Sequence, residues 1–182
     1  MNRILLSGLL LLPAFALAQE RYATRTGEVT FFSETPMENI DAVNHKATSV
    51  IDLTTGQVQV SMLMKAFEFE KALMQEHFNE NYVESKLHPN ALFEGRIIEA
   101  VDLTVPGTYK VRAKGRFTMH GIARERNIPC VIVVGATDVS VQCAFDVPLA
   151  DHGIRIPRVV HQKLAPTVRV NVDLRLVAGS KK

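Results

Sequence analysis

The chain has 182 residues, of which 47% are hydrophobic and 22% are charged. This composition is typical of a single globular domain and excludes an intrinsically disordered chain. Lysine and arginine number 21 against 19 acidic residues, and a net charge of only +2 excludes the strongly basic surface that nucleic-acid binding requires.

The first 18 residues have the three parts of a secretory signal peptide. Arg3 supplies a positive charge, residues 4–12 are almost entirely apolar, and residues 16–18 read Ala-Leu-Ala, a small-residue cleavage site. The apolar run is too short to span a hydrocarbon core of about 30 Å as a helix. The alternative is a buried N-terminal strand or anchor. We expect residues 1–18 to be a cleaved signal peptide, residues 19–182 to form one domain, and the product to be periplasmic without stable membrane insertion.

Most of the remaining sequence alternates apolar and polar residues, which is typical of antiparallel strands with one wet face. In chain order, the predicted strands cover residues 26–33, 46–53, 57–69, 92–105, 109–119, 121–134, 139–149 and 168–176. Short turns join several of them, for example Thr54-Thr55-Gly56 and Pro106-Gly107. Eight such strands predict an all-β antiparallel barrel, whose interior is filled by side chains or holds one small ligand.

One segment lacks this alternation. Between residues 70 and 84, a helical spacing of three or four positions relates Leu73, Met74, His77, Phe78, Asn81 and Tyr82. This spacing predicts a short helix over residues 71–80. The helix either plugs one end of the barrel or forms a lid over a ligand-binding mouth.

The two cysteines fall in a predicted hairpin. If Ala136 and Thr137 form a two-residue loop, Cys130 lies opposite Cys143 in a non-hydrogen-bonded pair, with Cα atoms about 4.5 Å apart. That distance is at the lower limit for a disulfide. The alternatives are a disulfide or two buried thiols that behave as small hydrophobic residues.

The polar residues form no recognisable catalytic motif. The sequence lacks Gly-x-Ser-x-Gly, phosphate-binding loops, dinucleotide fingerprints, HExxH and CxxC. His77 and Glu80 are three residues apart on the predicted helix and share a face, which leaves a metal-binding barrel as a weaker alternative. We expect no enzyme activity and no cofactor.

The apolar face is rich in flexible and aromatic residues. Met62, Met64 and Ala66 share one strand face, but Phe67 and Phe69 change parity, which predicts a bulge or a twist between them. Methionine is flexible and polarizable and suits a pocket for an apolar ligand. The alternative is an ordinary packed core.

Four segments carry a family resemblance. Residues 74–85 (MQEHFNENYVES) and 88–95 (HPNALFEG) resemble the helix and the following strand of the YceI-like family, which binds lipids or polyisoprenoids. Residues 115–122 (GRFTMHGI) and 151–157 (DHGIRIP) resemble two further motifs of that family. The segments occur in the family's order along nearly all of the chain after residue 18, and His88 before Pro89 departs from the family pattern.

The resemblance implies an exported eight-stranded lipocalin-like barrel with a long apolar cavity and one short helix that caps one end. It implies a periplasmic carrier that sequesters a polyisoprenoid or an isoprenoid quinone-like lipid, and it allows a homodimer because family members often pair. The alternative is an envelope interaction protein with a packed core and no lipid.

On this hypothesis, residues of the apolar face and of the helix form the ligand site. The polar end of the lipid meets His77 and Tyr82. Gly115 faces inward, where leucine would block lipid uptake while the barrel still folds. The remaining predicted wall or lid residues are Phe31 (or, if parity shifts, Phe32), Val60, Met62, Met64, Phe67, Phe69, Leu73, Phe78, Phe93, Val111, Phe117, Val141 and Phe145.

Overall fold

The computed structural model describes residues 20–157 and 164–179, which form nine β-strands and one α-helix. The strands are β1 (Arg21–Glu34), β2 (Asn39–Asp52), β3 (Gln57–Leu63), β4 (Glu68–Phe69), β5 (Asn90–Ile97), β6 (Gly107–Met119), β7 (Ile122–Val134), β8 (Asp138–Pro148) and β9 (Thr167–Ala178). The helix α1 (Ala72–His77) lies between β4 and β5. The predicted signal peptide lies outside the described residues.

Eight of the strands close into an antiparallel barrel. The strand order is β1-β9-β8-β7-β6-β5-β3-β2, and the sheet closes because β1 pairs with both β9 and β2. The two-residue strand β4 pairs with β2 at Ala42 and Val43, beyond the end of β3. The predicted eight-stranded lipocalin-like barrel with one short helix is confirmed.

Apolar side chains at alternate strand positions fill one end of the barrel. On β9, Leu174 and Leu176 are buried, whereas Arg175 between them is exposed. Ile51 and Ile132 from other strands are also at most 1% exposed. A closed sheet has one inner and one outer face, so period-two alternation places the apolar half of each strand in the core.

The predicted strand over residues 57–69 is wrong in its second half. After Leu63 the chain forms a 3-10 turn (Met64–Ala66), and this turn changes the parity at Phe67. The buried Asn44 donates from Nδ2 to the Leu63 carbonyl (3.0 Å) and accepts from the Lys46 N–H (2.8 Å). Because these side-chain bonds satisfy backbone groups that lack a ladder partner, β3 can leave the sheet here.

The predicted strand over residues 92–105 is also too long. Strand β5 ends at Ile97, and turns follow before β6. Asp102 drives one of them, because its Oδ1 accepts from the Thr104 N–H (3.0 Å) and from the Thr104 hydroxyl (2.6 Å). Short aspartate side chains compete with ladder hydrogen bonds in this way and favour turns.

The predicted helix over residues 71–80 is present but differs in type. Helix α1 has six residues and passes into a π-helical turn (Phe78–Tyr82), in which the Val83 N–H donates to the Phe78 carbonyl at 3.0 Å. We call residues 72–82 the lid segment. Among the described residues, no helix is long and apolar enough to cross a membrane.

The β7–β8 hairpin has the predicted two-residue loop. The Gly135 N–H donates to the Asp138 carbonyl at 2.9 Å, and Ala136 and Thr137 form the loop. The register pairs Cys130 with Cys143, as the sequence predicted. In the structure, the two cysteines form a disulfide with their Cα atoms 4.3 Å apart.

The turn between β2 and β3 depends on a buried carboxylate. Asp52 Oδ1 accepts from the Thr54 N–H (3.1 Å) and from the Thr55 N–H (2.9 Å). Burial raises the pKa of Asp52, but the hydrogen bonds from Thr55 and Thr54 and the charge of Arg21 lower it more, so the pKa lies below its ordinary value. The ionised carboxylate therefore stabilises the fold above the unfolded-state pKa, and this stabilisation is lost as the pH falls through the lower folded-state pKa.

We expect Asp52→Ala to lower the free energy of unfolding by about 1–3 kcal/mol near neutral pH, because two N–H groups lose their acceptor. Asp52→Asn keeps the acceptor oxygen and removes only the charge. The stability difference between wild type and Asp52→Asn should therefore shrink as the pH falls from neutral to about 3. Urea unfolding of all three proteins measures both effects. A difference that stays constant across this range contradicts the role of the charge.

Candidate functional site

An apolar cavity lies beneath the lid segment, at the end of the barrel where β6 and β8 end. Its volume is about 180 Å³. We call it the mouth cavity. Strand residues and lid residues both form its wall, and the lining comprises Val29, Phe31, Glu38, Ile40, Met62, Met64, Phe67, Phe69, Met74, His77, Phe78, Tyr82, Val83, Ala91, Phe117, Met119, Val147, Leu149, Ile154, Leu164, Val168 and Val170.

Four phenylalanine rings join the lid segment to the barrel. Phe78 of the lid lies 5.5 Å from Phe31, 5.6 Å from Phe67 and 5.0 Å from Phe69, measured between ring centroids. Phe31 also contacts the other two rings, at 5.5 and 5.7 Å. We call Phe31, Phe67, Phe69 and Phe78 the aromatic cluster. Because no residue of α1 or of the π-helical turn is buried, these ring contacts are a main attachment of the lid.

A second, smaller cavity continues toward the packed end of the barrel. Its volume is about 50 Å³, and Val60, Phe93, Val141 and Phe145 are part of its wall. We call it the deep cavity. Met62 and Phe117 line both cavities and therefore stand between them. The methionine side chain is flexible, so a modest rotamer change at Met62 can alter the separation of the two spaces.

Comparison with known proteins agrees with this architecture. The sequence profile of the YceI-like domain matches residues 21–176. The chain belongs to the YceI-like domain family. No curated protein matches the sequence significantly.

Solved structures share the fold at low sequence identity. A polyisoprenoid-binding domain from Saccharophagus degradans, implicated in plant cell wall breakdown, superposes with a TM-score of 0.74 at 15% identity, covering 88% of this chain and 99% of that one. Burkholderia cenocepacia BcnA gives 0.71 at 15% identity, with coverages of 84% and 96%. The Campylobacter jejuni YCEI protein gives 0.59 at 12% identity over the full length of both chains.

Most of the predicted ligand residues of this YceI-like protein line one of the two cavities. The mouth cavity contains Phe31, Met62, Met64, Phe67, Phe69, His77, Phe78, Tyr82 and Phe117. The deep cavity contains Val60, Phe93, Val141 and Phe145, and shares Met62 and Phe117. The parity that places Phe31 rather than Phe32 inside is the one the sequence analysis preferred.

Three predicted residues, Leu73, Val111 and Gly115, line neither of these cavities. Leu73 is 61% exposed on α1, and its neighbour Met74 lines the mouth cavity instead. Val111 is buried in the core but borders neither of the two cavities. The spacing predicted the helix correctly but did not determine which of two adjacent apolar residues faces the barrel.

Gly115 has a different role from the one predicted. It pairs directly with Gly95 on β5, and a Cβ atom at Gly115 would collide with the Glu94 carbonyl oxygen and with the Gly95 Cα atom. A side chain there would separate β5 from β6 rather than narrow the cavity. The expectation that Gly115→Leu blocks lipid uptake in a folded barrel is therefore wrong.

Several wall residues were missed by the sequence analysis. Met119, Val147 and Val168 lie within predicted strands and have the same parity as the predicted wall residues, so the alternation already indicated that they face inward. Ala91 lies near the start of β5, and Ile154 and Leu164 lie outside the strands. Ala91 has the inward parity of Phe93. The place of Ile154 and Leu164 in the wall depends instead on how loops fold back over the barrel, which no local pattern indicates.

The ionisable side chains of the mouth-cavity wall are Glu38, His77 and Tyr82. Burial raises the pKa of the Tyr82 phenol, so this hydroxyl stays protonated at neutral pH and can donate a hydrogen bond. Glu38 pairs with Lys71 at 2.8 Å. These groups give an otherwise apolar wall a small polar region beside the lid.

The predicted metal pair is not assembled. His77 lines the mouth cavity, whereas Glu80 pairs with Lys86 at 3.4 Å. Within residues 20–157 and 164–179, the three-residue cluster of potential metal ligands lies at Glu84, His88 and His120 instead.

Proposed function

We propose that this YceI-like protein binds a lipid with a long apolar chain, of the polyisoprenoid or isoprenoid-quinone class, inside the barrel. The observation that carries the proposal is the apolar mouth cavity closed by the lid segment and the aromatic cluster. An isoprenoid chain offers no hydrogen bonds, so its recognition needs an apolar tube and little else. Removing its surface from water contributes about 25 cal/mol per Å².

The size of the cavities defines how such a ligand binds. The mouth cavity of about 180 Å³ is smaller than the roughly 300–1,000 Å³ of typical ligand pockets. A long chain must therefore displace rings of the aromatic cluster and extend past Met62 and Phe117 into the deep cavity. The polar end remains beside His77 and Tyr82, where donors and acceptors are available.

The same proposal makes the protein a binding protein rather than an enzyme. The ionisable groups of the cavity wall lie beside the lid, and the rest of the wall is hydrocarbon or thioether. Such a wall holds a ligand without activating any bond in it. The solved polyisoprenoid-binding domain with the same fold supports this assignment.

We further propose export to the periplasm, where the protein sequesters or carries its lipid. The support is the signal-peptide pattern of residues 1–18 together with the cysteine pair, because disulfides persist in oxidising compartments. N-terminal sequencing of the protein from a periplasmic extract should begin at Gln19.

A second candidate is an interaction protein whose barrel holds no lipid. The observation that favours it is the small volume of the two cavities, since side chains already fill most of the interior. The two functions differ in one measurable property, which is whether the folded protein contains or takes up an apolar molecule.

Mass spectrometry of the purified protein, first native and then after organic extraction, tests the proposal. We expect a co-purifying lipid that is released on unfolding, or uptake of an added isoprenoid quinone by lipid-free protein. As a blocked control, Ala91→Phe places a ring in the mouth cavity, because Ala91 is 1% exposed and lines its wall. This variant should stay folded by circular dichroism and lose uptake. A bare polypeptide that takes up no quinone establishes the lipid-free alternative.

A further inference from the structure

The cluster of Glu84, His88 and His120 lies outside the proposed lipid site, at the junction of the lid segment and the barrel. One potential ligand atom from each residue lies within 4.8 Å of the others. Glu84 follows the π-helical turn, His88 precedes β5, and His120 lies in the tight connection from β6 to β7. Three separate segments of the chain therefore converge here.

The contacts of His120 place one of its ring nitrogens against a carboxylate oxygen. Its Nδ1 lies 2.9 Å from the His152 carbonyl oxygen, which can only accept, so Nδ1 carries the proton. Its Nε2 lies 2.7 Å from the Glu84 Oε2. In a neutral ring this places a nitrogen lone pair against a carboxylate oxygen, and two acceptors at that distance repel. A cation shared between them, either a proton or a metal ion, removes the repulsion.

The backbone is strained at two of the three residues. Glu84 (φ 45°) and His120 (φ 50°) are the non-glycine residues with positive φ among those that the structure describes. Such left-handed conformations are unfavourable for residues other than glycine and persist where the surroundings require them. Here they aim both side chains at the cluster, while the preceding residues, Val83 and Met119, face the mouth cavity.

A glycine makes room for the third residue. Gly121 has φ +73°, and a Cβ atom there would lie 2.9 Å from Cε1 and 3.2 Å from Nδ1 of His88. Because residue 121 has no side chain, the His88 ring can occupy this space. It contacts the His120 ring there, with centroids 4.7 Å apart and planes at 71°.

We propose that Glu84, His88 and His120 bind a divalent transition-metal ion of the zinc class. Two imidazoles and one carboxylate, completed by a water molecule, are a ligand set that Zn²⁺ accepts, whereas Ca²⁺ and Mg²⁺ prefer oxygen ligands. Ligand atoms about 2.0–2.1 Å from a tetrahedral ion are about 3.4 Å apart from one another. The Glu84 Oε2 and His120 Nε2 atoms, now 2.7 Å apart, therefore need to separate only slightly. The His152 carbonyl fixes the tautomer of His120 as a second-shell partner does.

The position of the site gives the ion a structural role. Glu84 is the second residue after the lid segment, and His120 belongs to the rim of the barrel. A bound ion would therefore fasten the C-terminal end of the lid to the β6–β7 turn, outside the cavity wall. Ion binding at this cluster requires no lipid in the barrel.

Titration calorimetry of tag-free, chelator-treated protein with ZnCl₂ tests the proposal. We expect one ion per chain in the wild type, and His88→Ala to weaken binding by more than about 100-fold, because loss of a second-shell partner alone costs about 10–100-fold. His88 is the primary variant, since its side chain is half-buried and it has an ordinary backbone. Glu84→Gln, which keeps the shape of the side chain, should also weaken binding. Co²⁺ in the wild type should show the absorption of a four-coordinate site.

The matched control is His45→Ala. His45 forms another histidine–carboxylate pair, with Glu28 at 3.2 Å, but both side chains are about half exposed. This variant should bind Zn²⁺ like the wild type, and Zn²⁺ should raise the melting temperature of both but not of His88→Ala. A folded wild type that binds no Zn²⁺, or a His88→Ala variant that binds it normally, overturns the proposal.

Discussion

Replacing Phe78 with alanine should accelerate both the uptake and the release of a bound prenyl lipid, by roughly 10-fold to 1,000-fold. Phe78 makes three ring contacts with the barrel, and each aromatic pair contributes about 0.5–1.5 kcal/mol. The lid segment has no buried residue of its own, and a helix of six residues is too short to be stable alone. Loss of these contacts therefore shifts the lid toward its open state.

Stopped-flow transfer of an isoprenoid quinone between protein and vesicles measures both rates. The matched control is Leu73→Ala, since Leu73 lies on the same helix but is 61% exposed. Its rates should equal those of the wild type. If Phe78→Ala accelerates only release, with uptake unchanged, Phe78 is a wall contact for the ligand and the lid does not gate the cavity.

Removing the disulfide should lower the free energy of unfolding by about 3 kcal/mol, the value expected for a closed loop of about 15 residues. Cys130 and Cys143 are 13 residues apart and join β7 to β8 on the inner face, beside the deep cavity. Their bond lowers the conformational entropy of the unfolded chain and keeps β7 and β8 together in the folded barrel. The double variant Cys130→Ala/Cys143→Ala, compared with the wild type by urea unfolding, measures the effect.

A reducing agent separates the cross-link from the packing of the sulfur atoms. Reduced wild type keeps both sulfur atoms, so its stability loss reports the cross-link, and any additional loss in the double variant reports the cavity left by the sulfur atoms. The reducing agent should not change the stability of the double variant. A wild type whose unfolding midpoint is the same with and without reductant would show that the disulfide contributes no stability.

Strand identity and register were largely predictable from local sequence. The alternation around Leu174 and Leu176 indicates which face of β9 is buried, and the two-residue loop at Ala136 and Thr137 determines that Cys130 faces Cys143. Both follow from the period-two geometry of a strand, which each segment carries by itself. The strand ends were less predictable, because the departure of β3 from the sheet depends on Asn44, which is 19 residues away from its partner Leu63.

The predicted site residues also fall into two groups: those whose position local sequence predicted and those whose position depends on other parts of the fold. Apolar strand residues such as Met62 and Phe117 were assigned to the interior correctly, because their parity fixes their face. Leu73 belongs to the lid segment, but its side chain is 61% exposed and lines neither cavity, because the seating of a short helix on a barrel depends on contacts with other elements. Gly115 was misjudged, since its inward parity said nothing about how closely β5 approaches β6.

By itself, the sequence determined the all-β class, the eight barrel strands, the lid helix and the apolar character of the interior. These are local properties, repeated every two residues along a strand or every three to four along a helix. Only the tertiary structure decided the volume of the cavities. This volume is the small difference between two larger ones, the interior volume of the barrel and the volume of the side chains that fill it. The tertiary structure also decided the meeting of Glu84 with His120, which are 36 residues apart and are brought together by barrel closure and by the path of the lid.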